Sequence, residues 1–302
     1  MSLPRLASAI LAIAVSLGAI VAGGWYFTLA IAIAVFVGQW EYFRLVRTKG
    51  SVPAAKTTLV VSQLLLVAAA VSPLTADALF PIAGMLVCFY LLLQPRPSTI
   101  ADVSTSILGL FYGGYLPSYW IRLRVGMAQP ASDGGPIQAG LAGSRSFPLD
   151  GLWPHTSALP VGLAIVLLAF GCIWAADIGA YTMGKAIGRT QLSQISPKKT
   201  VEGALCGLVA SAAVAELGAW SLGWPVWPLS GLLLGVLIGI ASAIGDLTES
   251  LIKRDAGVKD SSQLIPGHGG ILDRTDSYVF TAPLVYYFIT LVLPLFPGGA
   301  GS

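Results

Sequence analysis

Long apolar runs are the feature of this sequence that most limits what the chain can fold into. Several of them approach the roughly 20 residues that a helix needs to cross the hydrocarbon core of a bilayer. Only 10% of the residues are charged, whereas a soluble domain carries about 25%. Alternation of apolar and polar residues at strand length does not recur, so the runs indicate helices. The sequence therefore predicts an all-α polytopic membrane protein.

The apolar runs predict about nine transmembrane helices, and the first run favours a retained membrane helix over a cleaved signal peptide. The fourth run is short and contains Pro81. Two short segments, 23–24 and 72–77, are typical of turns. The predicted spans lie near residues 5–22, 25–43, 57–76, 78–93, 100–120, 158–180, 203–222, 227–248 and 278–296.

A segment rich in Gly, Pro, Ser and Asp interrupts the apolar pattern. Its composition and lack of periodicity predict a long flexible loop. The chain is thereby divided into an N-terminal transmembrane bundle (1–125), a flexible non-cytoplasmic loop (126–157) and a C-terminal catalytic transmembrane region (158–302). His155 lies in the loop, where an exposed histidine is favoured over a metal ligand.

Basic residues predict the orientation of the chain in the membrane. Nine crossings from a cytoplasmic N-terminus leave only Arg122, Arg124 and Arg145 of the 17 lysines and arginines on the far side. Both charge-rich segments described next then face the cytoplasm, where nucleotides are found. The three cysteines lie singly in apolar runs, and their spacing suits neither a zinc site nor a disulfide framework.

The first charge-rich segment begins where the apolar run LAIVLLAFGCIWAA ends. Asp177 follows that run directly, and a carboxylate at mid-membrane costs about 2.5–3.5 kcal/mol on insertion scales. Such a residue normally has a partner or a cation. Tyr181 and Lys185 follow at helical spacing, so the three side chains share one stripe of a helix.

The motif SPKKT follows at 196–200. Lys198 and Lys199 are adjacent cations beside the hydroxyls of Ser196 and Thr200, which suits contact with phosphate. For the two lysines alone, an anchor loop on the basic side of the membrane is an equally good interpretation. Either hydroxyl can bond phosphate or cap a helix.

The second charge-rich segment, GDLTESLIKRDAGVKDSSQLIPGHGGILDRTDS, occupies residues 245–277. Asp246, Glu249, Ser250 and Lys253 fall on one helical face at the end of an apolar run. Three glycines further on leave main-chain N–H groups open to phosphate oxygens. These glycines are Gly267, Gly269 and Gly270.

Carboxylates and cations thus gather at one membrane face. Asp177, Asp246 and Asp273 are hard oxygen ligands, which suit Mg²⁺ held by one or two carboxylates together with substrate phosphates. Cations beside such a metal suit a nucleoside triphosphate. Neither a Walker A motif nor GxGxxG is present, so the pattern excludes P-loop and Rossmann sites.

The stretch SLIKRDAGVKDSSQLIPGHGGILDRTDS, residues 250–277, resembles the signature of the phosphatidate cytidylyltransferases, also called CDP-diacylglycerol synthases. Every fixed position of S-x-x-K-R-x4-K-D…P-G-H-G-G-x-x-D-R-x-D is present. The upstream block DIGAYTMGK…SPKKTVEGALCG is also similar to that family, and the resemblance covers roughly residues 160–295. It implies that CTP and phosphatidate give CDP-diacylglycerol and pyrophosphate.

The resemblance implies a role for each polar residue. Asp246 and Asp273 are expected to ligate Mg²⁺, and Asp177 to support the same cluster or a second cation. Neutralisation of the phosphates is expected from Lys198, Lys199 and Arg274, with Lys253, Arg254 and Lys259 as second choices. Gly267, Gly269 and Gly270 are expected to shape a phosphate loop. His268 contacts the leaving pyrophosphate or bonds within the loop, whereas Asp255, Asp260 and Asp276 are expected to pair with nearby arginines and lysines.

Two other functions compete with this one. A secondary transporter would explain nine spans and intramembrane acids, but its charges would be spread through two repeated halves, and no internal repeat is evident. A CTP-dependent enzyme acting on an ether or isoprenoid lipid phosphate carries the same phosphate-binding motifs. The pattern of the CDP-alcohol phosphotransferases is absent, which favours a producer of CDP-lipid over a consumer.

The implied partners are CTP, phosphatidate and the lipid bilayer, and nothing indicates nucleic acid. The sequence leaves the oligomeric state open, a homodimer included. The expected location is the cell inner membrane or plasma membrane, with multiple crossings and the active site facing the cytoplasm.

Overall fold

A computed structural model describes residues 3–128, 160–264 and 269–297, and within them every regular element is helical. The predicted all-α class is therefore confirmed for the described part of the chain. Short π- or 3₁₀-turns extend some of the helices. The α-helices are α1 (Leu3–Ala22), α2 (Gly24–Thr48), α3 (Ala55–Val71), α4 (Pro73–Leu92), α5 (Ile100–Leu110), α6 (Ser118–Arg124), α7 (Val161–Ile187), α8 (Val201–Ser221), α9 (Trp227–Asp255) and α10 (Leu272–Tyr287).

Six helical segments of the described residues are long and apolar enough to cross a membrane. They are Gly24–Thr48, Pro73–Leu92, Val161–Ile187, Val201–Ser221, Trp227–Asp255 and Leu272–Leu295. Two further apolar helices, Ala12–Ala22 and Ala55–Val71, are shorter. Each of the nine predicted runs overlaps a helix, so the difference between six and nine lies in the length of the apolar stretches.

The region predicted as a span over 100–120 is interrupted. Helix α5 ends at Leu110, a π-turn covers Phe111–Tyr115, and α6 starts at Ser118. Gly113 and Gly114 pack directly against the side chains of Gln39 and Ser62, which allows the chain to lie close to α2 and α3. The chain contacts the polar side chains of α2 and α3 at this point, and no continuous apolar helix forms over 100–120.

The predicted turn over 72–77 is wrong in extent. Only Ser72 is non-helical, with extended main-chain angles, and α4 begins at Pro73. Proline is favoured at the first helical position because its fixed φ suits the helix and its missing N–H would have had no partner there. A proline read as a turn residue thus starts a helix.

Glycines allow the helices of the C-terminal region to pack closely. A Cβ atom at Gly203 would lie 2.6 Å from the carbonyl oxygen of Ala180, and one at Gly207 would lie 2.7 Å from that of Ala176. On the other side of α8, a Cβ at Gly231 would lie 2.6 Å from the Cα of Glu216. Small residues at such contacts let membrane helices approach main chain to main chain, so α7, α8 and α9 form one tight layer.

Helix α2 connects the two ends of the bundle. Near its start, the Arg124 guanidinium donates to the Ile20 carbonyl (Nε–O 2.7 Å) at the end of α1. Just beyond its other end, Lys49 forms an exposed ion pair with Asp255 of α9 (3.4 Å). The cavity described next lies at this second end, so Arg122 and Arg124 are at the opposite end from it.

Candidate active site

A cavity of 1270 Å³ opens among α7, α8, α9 and the start of α10. Its walls are of two kinds. Apolar residues, most of them alanines, line the part between the helices, and they include Ala176, Ala180, Ala204, Leu208 and Ala243. Charged and hydroxyl side chains line the part at the helix ends, and they include Asp177, Lys185, Ser196, Lys198, Lys199, Thr200, Asp246, Lys253, Lys259, Asp273, Arg274 and Asp276.

Three carboxylates meet beside this polar part, where Asp246 and Asp276 line the cavity and Glu249 is buried next to them. Each of Asp246, Glu249 and Asp276 offers an oxygen within 4.8 Å of the others. Asp246 and Glu249 are three residues apart on α9 and therefore share one face. Asp276 comes from α10, which Gly245 admits to contact because a Cβ atom there would overlap the carbonyl oxygen of Asp276.

This cluster fits a hard divalent cation. Three carboxylates at this separation match the oxygen ligands that Mg²⁺ and Ca²⁺ take in proteins. Among the described residues, Glu249 is fully buried and its Oε1 atom has no hydrogen-bond donor. A buried carboxylate oxygen without a donor is costly unless a cation compensates it.

Lys253 links the cluster to the next carboxylate. Its ammonium group lies 2.5 Å from Glu249 Oε2 and 2.6 Å from Asp273 Oδ1. The lysine side chain is only 12% exposed. The two acids therefore compensate its charge, and the lysine holds the start of α10 against the end of α9.

Asp273 orders the loop before α10. Its Oδ2 atom accepts from the main-chain N–H of Gly270 (2.7 Å) and from both the N–H and the hydroxyl of Ser261 (2.9 and 2.8 Å). With Lys253 on Oδ1, both oxygens are engaged by protein donors. The predicted metal ligand Asp273 thus lines the cavity but lies outside the three-carboxylate cluster.

The remaining predicted acid, Asp177, and the adjacent lysines Lys198 and Lys199 also line the cavity. Asp177 accepts from the Ser242 hydroxyl (3.3 Å) on α9. Lys199 forms an ion pair with Asp246. Its N–H donates to the Ser196 carbonyl (3.0 Å) in a tight turn, and its carbonyl accepts from the Leu192 N–H (2.8 Å). The first charge-rich segment therefore reaches the second at Asp246.

Glu202 and Thr200 fix the start of α8, which follows this turn in the chain. The Glu202 carboxylate accepts from the main-chain N–H groups of Arg189 and Thr190, each at 3.1 Å. The Thr200 hydroxyl accepts from the Gly203 N–H (3.2 Å) and caps the helix. Of the two roles open to Thr200, the structure contains the cap.

The other predicted site residues divide into three groups. Ser196, Lys198, Lys259, Gly269 and Arg274 line the cavity. Arg254 is exposed and donates to the Val258 carbonyl (3.1 Å), while the Gly270 N–H is used by Asp273. Gly267 and His268 lie outside the described residues, as does His155, which was expected to be an exposed loop histidine.

Sequence reasoning missed one buried acid, Glu41 of α2. It is fully buried, and its carboxylate accepts hydrogen bonds from Ser262 and Leu272 of the signature stretch 250–277. The signal was present, because a single glutamate inside an apolar run poses the same question as Asp177. Sequence reasoning also left Glu249 without a role and expected Asp276 only to pair with nearby arginines and lysines.

Comparisons with known proteins cover nearly the whole chain. The model of the cytidylyltransferase family matches residues 3–292. The chain is 61% identical to a phosphatidate cytidylyltransferase of Synechocystis sp. over 96% of its own length and 97% of that protein. It is 44% identical to the chloroplastic phosphatidate cytidylyltransferase 4 of Arabidopsis thaliana over 92% of the chain and 70% of that protein. A Bacillus subtilis phosphatidate cytidylyltransferase matches at 40% over 43% of the chain and 49% of its own length.

Proposed function

The chain belongs to the cytidylyltransferase family, and from this premise we propose that it transfers the cytidylyl group of CTP to phosphatidate. The products are CDP-diacylglycerol and pyrophosphate. One structural observation carries the proposal: two acids of the cluster, several lysines and Arg274 line the same cavity, whose other walls are apolar. A substrate pair made of a triphosphate and a lipid phosphate requires both kinds of wall.

We propose that Asp246, Glu249 and Asp276 hold Mg²⁺. Support comes from their mutual separation of at most 4.8 Å and from the buried Oε1 atom of Glu249. When bound, the metal would supply charge neutralisation at the phosphate oxygens. Asp177 shares the cavity and is proposed to support a second cation, whereas Asp273 is proposed to order the loop that its two oxygens bind.

The reaction requires little covalent chemistry from the protein. A phosphate oxygen of phosphatidate attacks the α-phosphorus of CTP in line, a P–O bond forms, and the bond to the β-phosphate oxygen breaks. Since the attacking oxygen is already anionic, no strong general base is needed. Catalysis then consists of positioning and neutralisation of charge, for which Lys198, Lys199 and Arg274 are placed on the cavity wall.

We propose that the chain crosses the membrane nine times from a cytoplasmic N-terminus, which puts the cavity on the cytoplasmic side. The position of Arg122 and Arg124 at the end of the bundle opposite the cavity supports this orientation. The proposed location is the inner or plasma membrane. The proposed division is an N-terminal bundle over 1–125, a non-cytoplasmic loop over 126–157 and a catalytic region over 158–302.

The test is formation of lipid-soluble cytidine by the full chain in detergent. Labelled CTP is supplied with phosphatidate, with and without EDTA and with Mg²⁺ restored. We expect labelled CDP-diacylglycerol only when divalent metal is present. Product that persists in EDTA would contradict the metal assignment, and failure to form any product from phosphatidate would contradict the proposed function.

A further inference from the structure

Glu41 is a buried acid that forms no ion pair with a basic side chain among the described residues. Its carboxylate is 0% exposed, and no lysine or arginine forms an ion pair with it in the described part of the chain. A buried ionised carboxylate persists only when hydrogen bonds or partial charges replace its lost hydration. The groups that contact Glu41 therefore define what it does.

Four donors converge on this one carboxylate. Oε1 accepts from the Ser262 hydroxyl (2.6 Å) and the Ile271 N–H (3.2 Å). Oε2 accepts from the Leu272 N–H (2.8 Å) and lies 3.1 Å from the Ser261 hydroxyl, whose single proton it shares with Asp273 Oδ2 (2.8 Å). Two donor groups come from residues 261–262 and two from residues 271–272, so Glu41 joins the segment after α9 to the start of α10.

The two main-chain donors also begin α10. Ile271 and Leu272 supply the first N–H groups of this helix, which have no partner inside it. The partial positive charge at a helix N-terminus stabilises a carboxylate there. Glu41 accepts from the Ile271 and Leu272 N–H groups, and Asp273 accepts from the preceding Gly270 N–H. Both acids therefore fix where α10 starts.

We propose that Glu41 is a positioning residue for the transfer reaction, an inference that rests on the proposed function. It lies on α2, outside the region that carries the signature motifs, and it sets the positions of residues 261–262 and 271–272. The second of these pairs leads into the first turn of α10, which brings Asp273, Arg274 and Asp276 to the cavity. The N-terminal bundle thus contributes to the active site through the Glu41 side chain.

The test compares three substitutions in the full chain purified in detergent. Glu41→Gln keeps the size of the side chain but removes the charge and one acceptor. Ser262→Ala removes a single donor and is the milder change. Gln39→Leu is the matched control, because Gln39 is equally buried on the same helix but bonds to Ser62 and Gly109 within the N-terminal bundle.

The first readout is the rate of tryptic cleavage after Lys259, an exposed residue two positions before Ser261. This rate reports how often the segment around Ser261 is released from Glu41, and its measurement needs no catalytic turnover. Loss of one or two buried charge-assisted bonds corresponds to roughly 10- to 100-fold more opening. We expect that acceleration for Glu41→Gln, a several-fold acceleration for Ser262→Ala and none for Gln39→Leu.

The second readout is CDP-lipid formation as a function of CTP concentration. Glu41→Gln is expected to raise the KM for CTP and to lower kcat/KM about 100-fold, with Glu41→Asp recovering part of the loss. Gln39→Leu is expected to lower the melting temperature but to keep the wild-type KM. Unchanged tryptic cleavage in both Glu41→Gln and Ser262→Ala would overturn the inference. Should Glu41→Gln fail to fold, Ser262→Ala decides by the same criterion, whereas absence of product from the wild type would count against the proposed function alone.

Discussion

The main chain of Gly245 on α9 lies directly against the carbonyl of Asp276 on α10, so that a Cβ atom at position 245 would overlap that oxygen. The neighbouring Asp246 and the same Asp276 are two of the three acids of the proposed metal site. The separation of these carboxylates therefore depends on the absence of a side chain at Gly245.

We accordingly expect Gly245→Ala to lower activity by about 100-fold, because a displacement of about 1 Å at a reacting centre can cost that much. The matched control is Gly38→Ala in α2, where a Cβ atom would meet nothing within 4 Å. That change is expected to keep activity and to favour the helix by about 1 kcal/mol. Product formation and detergent melting curves measure both effects, and equal activity of the two variants would contradict the packing argument.

Removal of one acid of the cluster is expected to abolish the reaction but not membrane insertion. Asp246→Asn and Asp276→Asn should each lower the rate at least about 100-fold. Loss of a residue that only supports a metal ligand costs up to about 100-fold, and loss of a ligand should cost no less. Asp255→Asn on the same helix is the control, since its only described ion pair is the exposed one with Lys49. Near-normal turnover of either cluster variant at saturating Mg²⁺ would remove that residue from the proposed site.

Lys199 is one of two described lysines in direct contact with the acidic cluster: it pairs with Asp246, whereas Lys253 pairs with Glu249. We expect Lys199→Ala to raise the KM for CTP or phosphatidate roughly 10- to 100-fold, the effect of losing one hydrogen bond to a charged group. Lys49→Ala, which removes an exposed lysine at the same end of the bundle, should leave both KM values unchanged. An unchanged KM in Lys199→Ala would return Lys199 to the role of a membrane anchor.

A buried arginine stabilises the end of the bundle opposite the cavity. Arg122 donates to Asp77 (2.7 Å) and its guanidinium stacks on the Tyr119 ring at 4.1 Å. We expect Asp77→Asn to lower the free energy of unfolding by about 3 kcal/mol, the lower end for breaking a buried pair, because the Asp77 side chain is 43% exposed. Melting curves should show the loss, while the KM for CTP should stay constant, and a shifted KM would show that this pair acts on the site.

Sequence reasoning predicted the helices well because apolar runs act locally. Each run overlaps a helix, and the carboxylates at positions 246 and 249 share a face as their spacing requires. The number of spans was less certain, since the length of an apolar stretch depends on interruptions such as the π-turn after Leu110. That turn exists because of a contact with α2 and α3, which no local pattern reveals.

The composition of the acidic cluster could be predicted only in part. Whether Asp273 or Asp276 faces Asp246 depends on how α10 rotates against α9, and the contact at Gly245 decides this. The role of Glu41 could not be predicted, because its donors lie 220 to 231 residues away along the chain. Spacing within a motif carries no information about such a distant acceptor.

The bonds of Glu41 also have a consequence for biosynthesis. During translation α2 emerges early, whereas Ser261 and Leu272 are made more than 200 residues later. A nascent chain that has already inserted α1 to α9 still lacks every one of these donors to that carboxylate. Since chains generally fold from the N-terminus as they are made, we expect competence for the reaction to arise only when the last helix leaves the ribosome and docks on α2.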